Sequence, residues 1–481
     1  MDPSTLLLGT IIAYNLLLLG IGWWASKRTH DGDDFYLGGR GLGPWVASLS
    51  SAASSSSAWT LLGVSGAAYT WGLSAFWLLP ACFLGFAFNW LVLARPLRKL
   101  AHETGAVTIP ELLADGMPAK WARAFVVSAS LIILLSLLVY VASQFQAAGK
   151  TFAETFDLDS STAVILGGTV VLVYTMCGGF WAVSVTDMLQ GLVMVAAAIL
   201  VPTVALISVG GWDGMLAGLA AANAGLDTDL MAWTRGAGGA GVFGFLIGTF
   251  GIGLGYPGQP QVVNRFMAMS EGASIRQGTA ISLVWALLIY SGMLLAGWCA
   301  RGVLEPLADG EDALLGLTQS LFSPVVAGII IAAILSAIMS TADSQLLVCG
   351  STVAHDLPNR PAKRKVLLDR LAVVGLAIAA MVAALNVQQS IFDTVLFAWS
   401  ALGAAFGPLL LVRVRQGPVR PGAAFASLWA GFSCSLFWPL LPHSGFGVYE
   451  LVPAFGLAWL IARAGTIPGS HGTLLRHSRA S

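Results

Sequence analysis

The chain has 481 residues, 57% of them hydrophobic and only 10% charged, with a net charge of zero. An average soluble domain carries about 25% charged residues, so a mean hydropathy of +0.79 marks an all-α polytopic membrane protein and leaves no room for a separate soluble module. The charge balance offers no basic surface to nucleic acid, and five cysteines at no metal-like or disulfide-like spacing read as small core hydrophobes.

In chain order the apolar segments fall at about 5–25, 45–66, 71–94, 122–147, 161–179, 185–208, 239–262, 277–300, 321–354, 367–386, 390–412, 421–440 and 448–464. A bilayer crossing takes roughly 20 residues, so these predict about thirteen transmembrane helices. Asp2 precedes the first segment and Lys27 and Arg28 follow it, which predicts an anchor with its N-terminus outside rather than a cleaved leader. In that orientation every Lys and Arg except Lys150, Arg235 and Arg301 falls in an inner loop or the inner tail, the bias expected of a cytoplasmic side. The outer stretch 209–238 is expected to hold a short helix near Asp213–Ala222, and the inner loop Asp356–Pro361 is too short and proline-broken to fold alone. Function is therefore expected within the membrane.

Three segments turn polar where hydrocarbon would forbid it. The first carries Ser54, Ser55, Ser56 and Ser57 at mid-span, before Ala58 and Trp59. A lone serine bonds back to the carbonyl one turn earlier, but four in a row point in every direction, and an unpaired hydroxyl in lipid costs several kcal/mol. The second reads Gly251-Ile252-Gly253-Leu254-Gly255-Tyr256-Pro257-Gly258-Gln259-Pro260, in which alternate glycines and two prolines interrupt or kink a helix. With the first span set aside, the two breaks fall in the first helix of each of two five-helix halves, the pattern of an inverted-repeat transporter with its site at the midplane. The third, in span 321–354, places Ser336, Ser340, Asp343 and Ser344 on one helical face with Thr341 beside them, oxygen chemistry suited to a small hard cation or a proton. Asp187 is expected in the first turn of its helix, as an N-terminal cap or an ion ligand. The histidines, His30, His102, His355, His443, His471 and His477, are expected in loops or tails, far apart, so no enzyme is expected.

Several stretches together resemble the sodium/solute symporter family, in one register from about residue 5 to 415. They are Phe35-Tyr36-Leu37-Gly38-Gly39-Arg40-Gly41-Leu42-Gly43-Pro44, the serine run, Gly178-Gly179-Phe180 with Ala182-Val183-Ser184-Val185-Thr186-Asp187, Gly255-Tyr256-Pro257-Gly258-Gln259-Pro260 with Arg265-Phe266-Met267, and Met339-Ser340-Thr341 with Gln345-Leu346-Leu347-Val348. Within the family the chain is most similar to sodium/proline symporters. The resemblance implies a LeuT-type fold, with a peripheral first helix and inner loop (1–44), a first repeat (45–208), an outer loop (209–238), a second repeat (239–415), and two peripheral helices with a cytoplasmic tail (416–481). It implies a plasma membrane protein, in bacteria the inner membrane, that uses sodium to take up a small organic solute, proline or a related amino acid. A carboxylate, sugar acid or vitamin as solute, proton coupling, and a sensor role are the alternatives. The implied partners are sodium, the solute and the bilayer, with no nucleic acid and no obligatory protein partner.

Carried over residue by residue, the resemblance implies a main sodium site of Ala53 and Ser56 with Ala337, Ser340 and Thr341. It implies a possible second cation at Asp187, Asp343 and Ser344, and substrate contacts at Ser54, Ser57, Ala58, Trp59, Tyr140, Tyr256, Gln259 and Pro260. The chain departs from proline symporters at Ser55, where they carry an acid, at Ile252, where they carry a Trp, and at Asp343, where they usually carry a hydroxyl.

Overall fold

The computed structural model describes residues 3–26, 37–176, 179–223, 226, 228–236, 238–357, 362–386, 389–441 and 448–467. Lys27, Arg28, His30, Phe35, Tyr36, Cys177, Gly178, the Pro358–Pro361 part of the inner loop, His443, and the tail with His471 and His477 lie outside them. Among the described residues the regular elements are helices, joined by two isolated bridges, Leu42 to Met269 and Val419 to Thr466. Among the described residues nine helices are long and apolar enough to cross a membrane, and three shorter ones are apolar. Large apolar side chains such as Leu16, Leu91, Ile207 and Phe243 are exposed on the outside of this bundle, where hydrocarbon suits them.

Behind a first helix, Pro3–Ser26, come two runs of five. The first run is Pro44–Ser55 resuming as Val64–Trp71, Leu78–Phe88 continuing through Ala94–Thr104, Ala119–Phe156, Ser160–Met176 and Phe180–Ser208. The second is Ala240–Gly251 resuming as Pro260–Met267, Ile275–Val303, Pro324–Ser351, Ala362–Ala384 and Ile391–Gln416. The outer stretch holds the helix Gly211–Ala222, and Pro421–Phe437 and Leu451–Ala464 close the chain.

Both predicted breaks are present. Pro44 starts the first broken helix, where its missing N–H is no loss. Ser56 leaves helical geometry at φ −117°, ψ 80°, and the chain re-enters through a wide π turn, Trp59–Gly63. The second break tightens into a 3-10 stretch, Ile252–Gly258, then extends at Gln259 (φ −92°, ψ 105°) before Pro260 opens the next half-helix. The two broken helices are tied at one end by backbone bonds, Leu42 N–H to Ala268 O at 3.1 Å and Ser270 N–H to Leu42 O at 3.1 Å.

The long helix, expected at about 321–354, runs Pro324–Ser351 after a separate short helix, Ala313–Leu321, with Pro324 setting its first turn. Three expectations need correction. Asp187 lies eight residues into Phe180–Ser208, not in its first turn, and is fully buried. Arg265, counted with the inner loops, sits inside Pro260–Met267 and is 1% exposed. His102 and His355 lie in helical turns, where His102 meets the Met269 carbonyl at 3.0 Å and His355 lies 3.5 Å from Glu111.

Candidate functional site

The serine run divides its roles at the break. Ser55 alone bonds back, to Ala52 O at 2.9 Å. Ser54 turns to Asp187 and Ser344, Ser57 accepts from Trp59 N–H at 3.2 Å and from Tyr140 OH at 3.4 Å, and Ser56 Oγ is buried with no partner among the described residues. The back-bonding explanation thus fits one serine of the four.

The carbonyl of Ala53, the last full turn before the break, meets two hydroxyls of the long helix, Ser340 Oγ at 3.3 Å and Thr341 Oγ1 at 3.4 Å. Ser340 also reaches the Ala337 carbonyl at 3.3 Å. Ala53, Ala337, Ser340 and Thr341 therefore converge, with Ser56 one step further along the chain. These contacts are long for O–H···O bonds, and all the donors are neutral oxygens, the ligand type that suits an alkali cation. Ser336 is drawn away from this junction by Tyr14 OH of the first helix at 2.5 Å.

Next to it lies a buried charged cluster. Asp187 Oδ2 accepts from Ser50 at 2.8 Å, Ser54 at 3.1 Å and the Arg265 guanidinium at 2.9 Å. Arg265 also donates to Ser50 at 3.0 Å, to Ser344 at 2.5 Å and to the Gln261 carbonyl, and its guanidinium lies 5.1 Å from the centre of the Phe180 ring. One side chain thereby joins four helices. Asp343 is equally buried, yet neither of its carboxylate oxygens, nor Asp187 Oδ1, has a hydrogen-bond partner among the described residues. Beyond Arg265 a small recess is lined by Phe180, Asn264, Arg265, Ser344, Val348 and Ser351.

A second, small cavity lies between the two breaks, lined by Ser55, Trp59, Tyr140, Ile252, Tyr256 and Trp399, with Val395 and Leu396. Trp59 packs on Phe392 at 5.3 Å between ring centres, and its indole nitrogen has no partner among the described residues. Of the expected substrate contacts, Trp59, Tyr140 and Tyr256 line this cavity. Ser54 sits in the charged cluster instead, Ala58 N–H is capped by Gln144 Oε1 at 3.1 Å, and Gln259 bridges the carbonyls of Gly255 and Trp399 at 3.3 and 3.0 Å. Pro260 starts its half-helix.

Sequence reasoning missed Arg265, Gln144 and Trp399. Arg265 follows an apolar run and reads as a flanking loop cation. Gln144 offers the one signal available, an amide inside an apolar span, where a polar group needs a partner.

The family model for sodium:solute symporters matches residues 35–431. The chain belongs to that family. It is 35% identical over 459 residues to the osmoregulated proline transporter OpuE of Bacillus subtilis, covering 93% of this chain and 92% of the relative. To the sodium/proline symporter of Escherichia coli it is 34% identical over 470 residues, covering 95% and 91%. Its backbone matches a solved Na+-coupled sialic acid symporter in a substrate-bound outward-open state with a TM-score of 0.78 at 18% identity, covering 96% of this chain and 98% of that one. The fold is the LeuT type, and this member of the sodium:solute symporter family is a multi-pass membrane transporter, not an enzyme.

Proposed function

We propose that the chain takes up L-proline, or an amino acid closely related to it, by sodium-coupled alternating access. The observation that carries the reading is the meeting of the Ala53 carbonyl, which also accepts the Ser56 N–H at 3.1 Å, with the Ser340 and Thr341 hydroxyls. A sodium ion between them, completed by Ser56 and the Ala337 carbonyl, links the first broken helix to the long helix and orders the break that walls the solute cavity. Such coupling is reciprocal and typically worth ~1–3 kcal/mol, and the membrane potential adds about 2.3 kcal/mol per charge at 100 mV.

Proline as solute is supported by the proline-transporting relatives and by the cavity. It has aromatic walls from Trp59, Tyr140 and Tyr256 and no charged side chain among the described residues that line it, so a solute of net charge would enter unpaired, whereas a zwitterion brings its own compensation. In the charged cluster Arg265 already supplies one positive charge to Asp187. A second cation, if the cycle uses one, is left to Asp343 with Ser344 and the free oxygen of Asp187, where two ionised acids and one guanidinium leave one negative charge. The two five-helix runs act as inverted repeats, 45–208 and 239–415, in a bacterial inner membrane, with the N-terminus outside and the C-terminus in the cytoplasm.

Thr341→Val keeps the shape and removes one oxygen of the sodium site. Uptake of labelled proline into vesicles is expected to need a severalfold higher sodium concentration for half-maximal rate in that variant. An unchanged sodium dependence overturns the site, and absence of proline uptake by the unaltered protein overturns the solute.

A further inference from the structure

Trp399 enters the cavity from a helix, Ile391–Gln416, on which the sequence marks no binding residue. Its indole N–H donates to the Ile252 carbonyl at 3.0 Å, and its ring stands edge-on to Tyr256, with 4.8 Å between centres and 82° between planes. The second break is shaped around it: a Cβ at Gly255 would lie 1.8 Å from the Trp399 nitrogen, so only glycine admits the ring. At 4% exposed, with its single donor engaged by backbone, Trp399 presents the cavity with carbon and π surface alone.

The polar side chains around it donate elsewhere, apart from the Trp59 indole N–H, which has no partner among the described residues and, as a donor, offers an ammonium nothing. Ser55 donates to Ala52 O, Tyr140 OH to Ser57, and Tyr256 OH pairs with Tyr290 OH at 3.0 Å. None of the described side chains lining the cavity is a carboxylate. An ammonium entering here meets aromatic rings from Trp59, Tyr140, Tyr256 and Trp399 rather than an acid. Ring quadrupoles attract a cation whatever its number of N–H bonds, and quaternary ammonium groups are recognised in this way. Each N–H left without an acceptor, by contrast, weakens binding by roughly fivefold or more.

We propose that Trp399 is a solute-binding residue and that it completes an aromatic cage selecting zwitterions by a substituted ammonium, so that secondary and N-methylated amines are accepted and primary amines are disfavoured. This rests on the proposed solute site and narrows its chemistry. Proline's ring nitrogen is a secondary ammonium, and the same cage accommodates its N-methyl and N,N-dimethyl derivatives.

The test is binding to the purified protein in sodium, by calorimetry, of L-proline, N-methyl-L-proline, N,N-dimethyl-L-proline, L-valine and cyclopentanecarboxylate. The last keeps ring and carboxylate but lacks the ammonium. Both methylated prolines are expected within about fivefold of proline, and valine and cyclopentanecarboxylate at least tenfold weaker. Trp399→Phe is expected to preserve this order, and Trp399→Leu to shrink the gap between proline and cyclopentanecarboxylate roughly fivefold or more. Proline binding that is abolished by N-methylation overturns the cage while leaving the proposed function standing. Binding of dimethylproline without proline supports the cage and removes proline as the solute. If Trp399→Leu does not fold, the panel on the unaltered protein decides, because equal binding of valine and the methylated prolines refutes the selection.

Discussion

Arg265 is the residue whose removal the structure makes most telling. Its guanidinium, 1% exposed, pairs at 2.9 Å with an Asp187 side chain that is fully buried. Deleting one member of such a pair strands the other charge and costs ~3–5 kcal/mol, whereas removing both is far milder. Unfolding entropy is about 2.1 cal/mol/K per residue, which over 481 residues gives about 1 kcal/mol/K, so Arg265→Met is expected to lower the melting temperature by about 3–5 °C. Asp187→Asn in the same background is expected to restore most of that loss. The assay is intrinsic tryptophan fluorescence of the purified protein on heating, first in sodium-free buffer and then in sodium. With the guanidinium gone, Asp187, Ser50, Ser54 and Ser344 leave an oxygen-lined site, and an ion held there at 100 times its Kd would return about 2.7 kcal/mol. Sodium should therefore stabilise Arg265→Met more than it stabilises the unaltered protein. Additive losses in the double variant, or equal sodium stabilisation of both proteins, would refute the reasoning.

Gly255→Ala places a Cβ 1.8 Å from Trp399 Nε1, an overpacking worth ~1–3 kcal/mol; proline affinity is expected to fall about tenfold while sodium alone still shifts the melting temperature. Asp343→Asn removes a charge whose two oxygens lack partners among the described residues, so melting should hold or rise while half-maximal uptake needs more sodium; unchanged sodium dependence would make Asp343 structural. Near the outer loop Lys150 pairs with Asp309 and, at 2.9 Å, with Asp312. Burial pushes the Asp309 carboxyl up, but the Lys150 ammonium and the Glu311 N–H together hold it below its ordinary value. A depressed carboxylate pKa stabilises above the unfolded value of about 3.9 and is lost as pH falls through the folded one. Lys150→Met should thus lower melting at pH 7 by no more than about 1 °C, because a pair with a half-exposed carboxylate is worth ~0–1 kcal/mol, and flatten its decline below about pH 4, measured as a melting-temperature profile against pH.

The membrane class, the helical segments and both breaks were legible in the sequence because each depends on local chemistry. Hydropathy over some 20 residues decides what enters a bilayer, and the serines at 54–57 and the Gly/Pro alternation at 251–260 act on the backbone that carries them. Ser340 and Thr341 were legible as one polar face of one helix, but that the face meets Ala53, whose partners lie 287 and 288 residues along the chain, is a tertiary fact. So is Arg265: a cation at the end of an apolar run looks like a loop flank, and only the approach of Asp187, 78 residues away, makes its burial tolerable, since a lone buried charge is too costly to persist. Ile252 read as a missing aromatic wall, while the structure places Trp399, 147 residues on, against that same backbone. Local sequence determines which segments enter the membrane and where they break; only packing decides which side chains meet at the breaks, because those partners belong to helices that no periodicity connects.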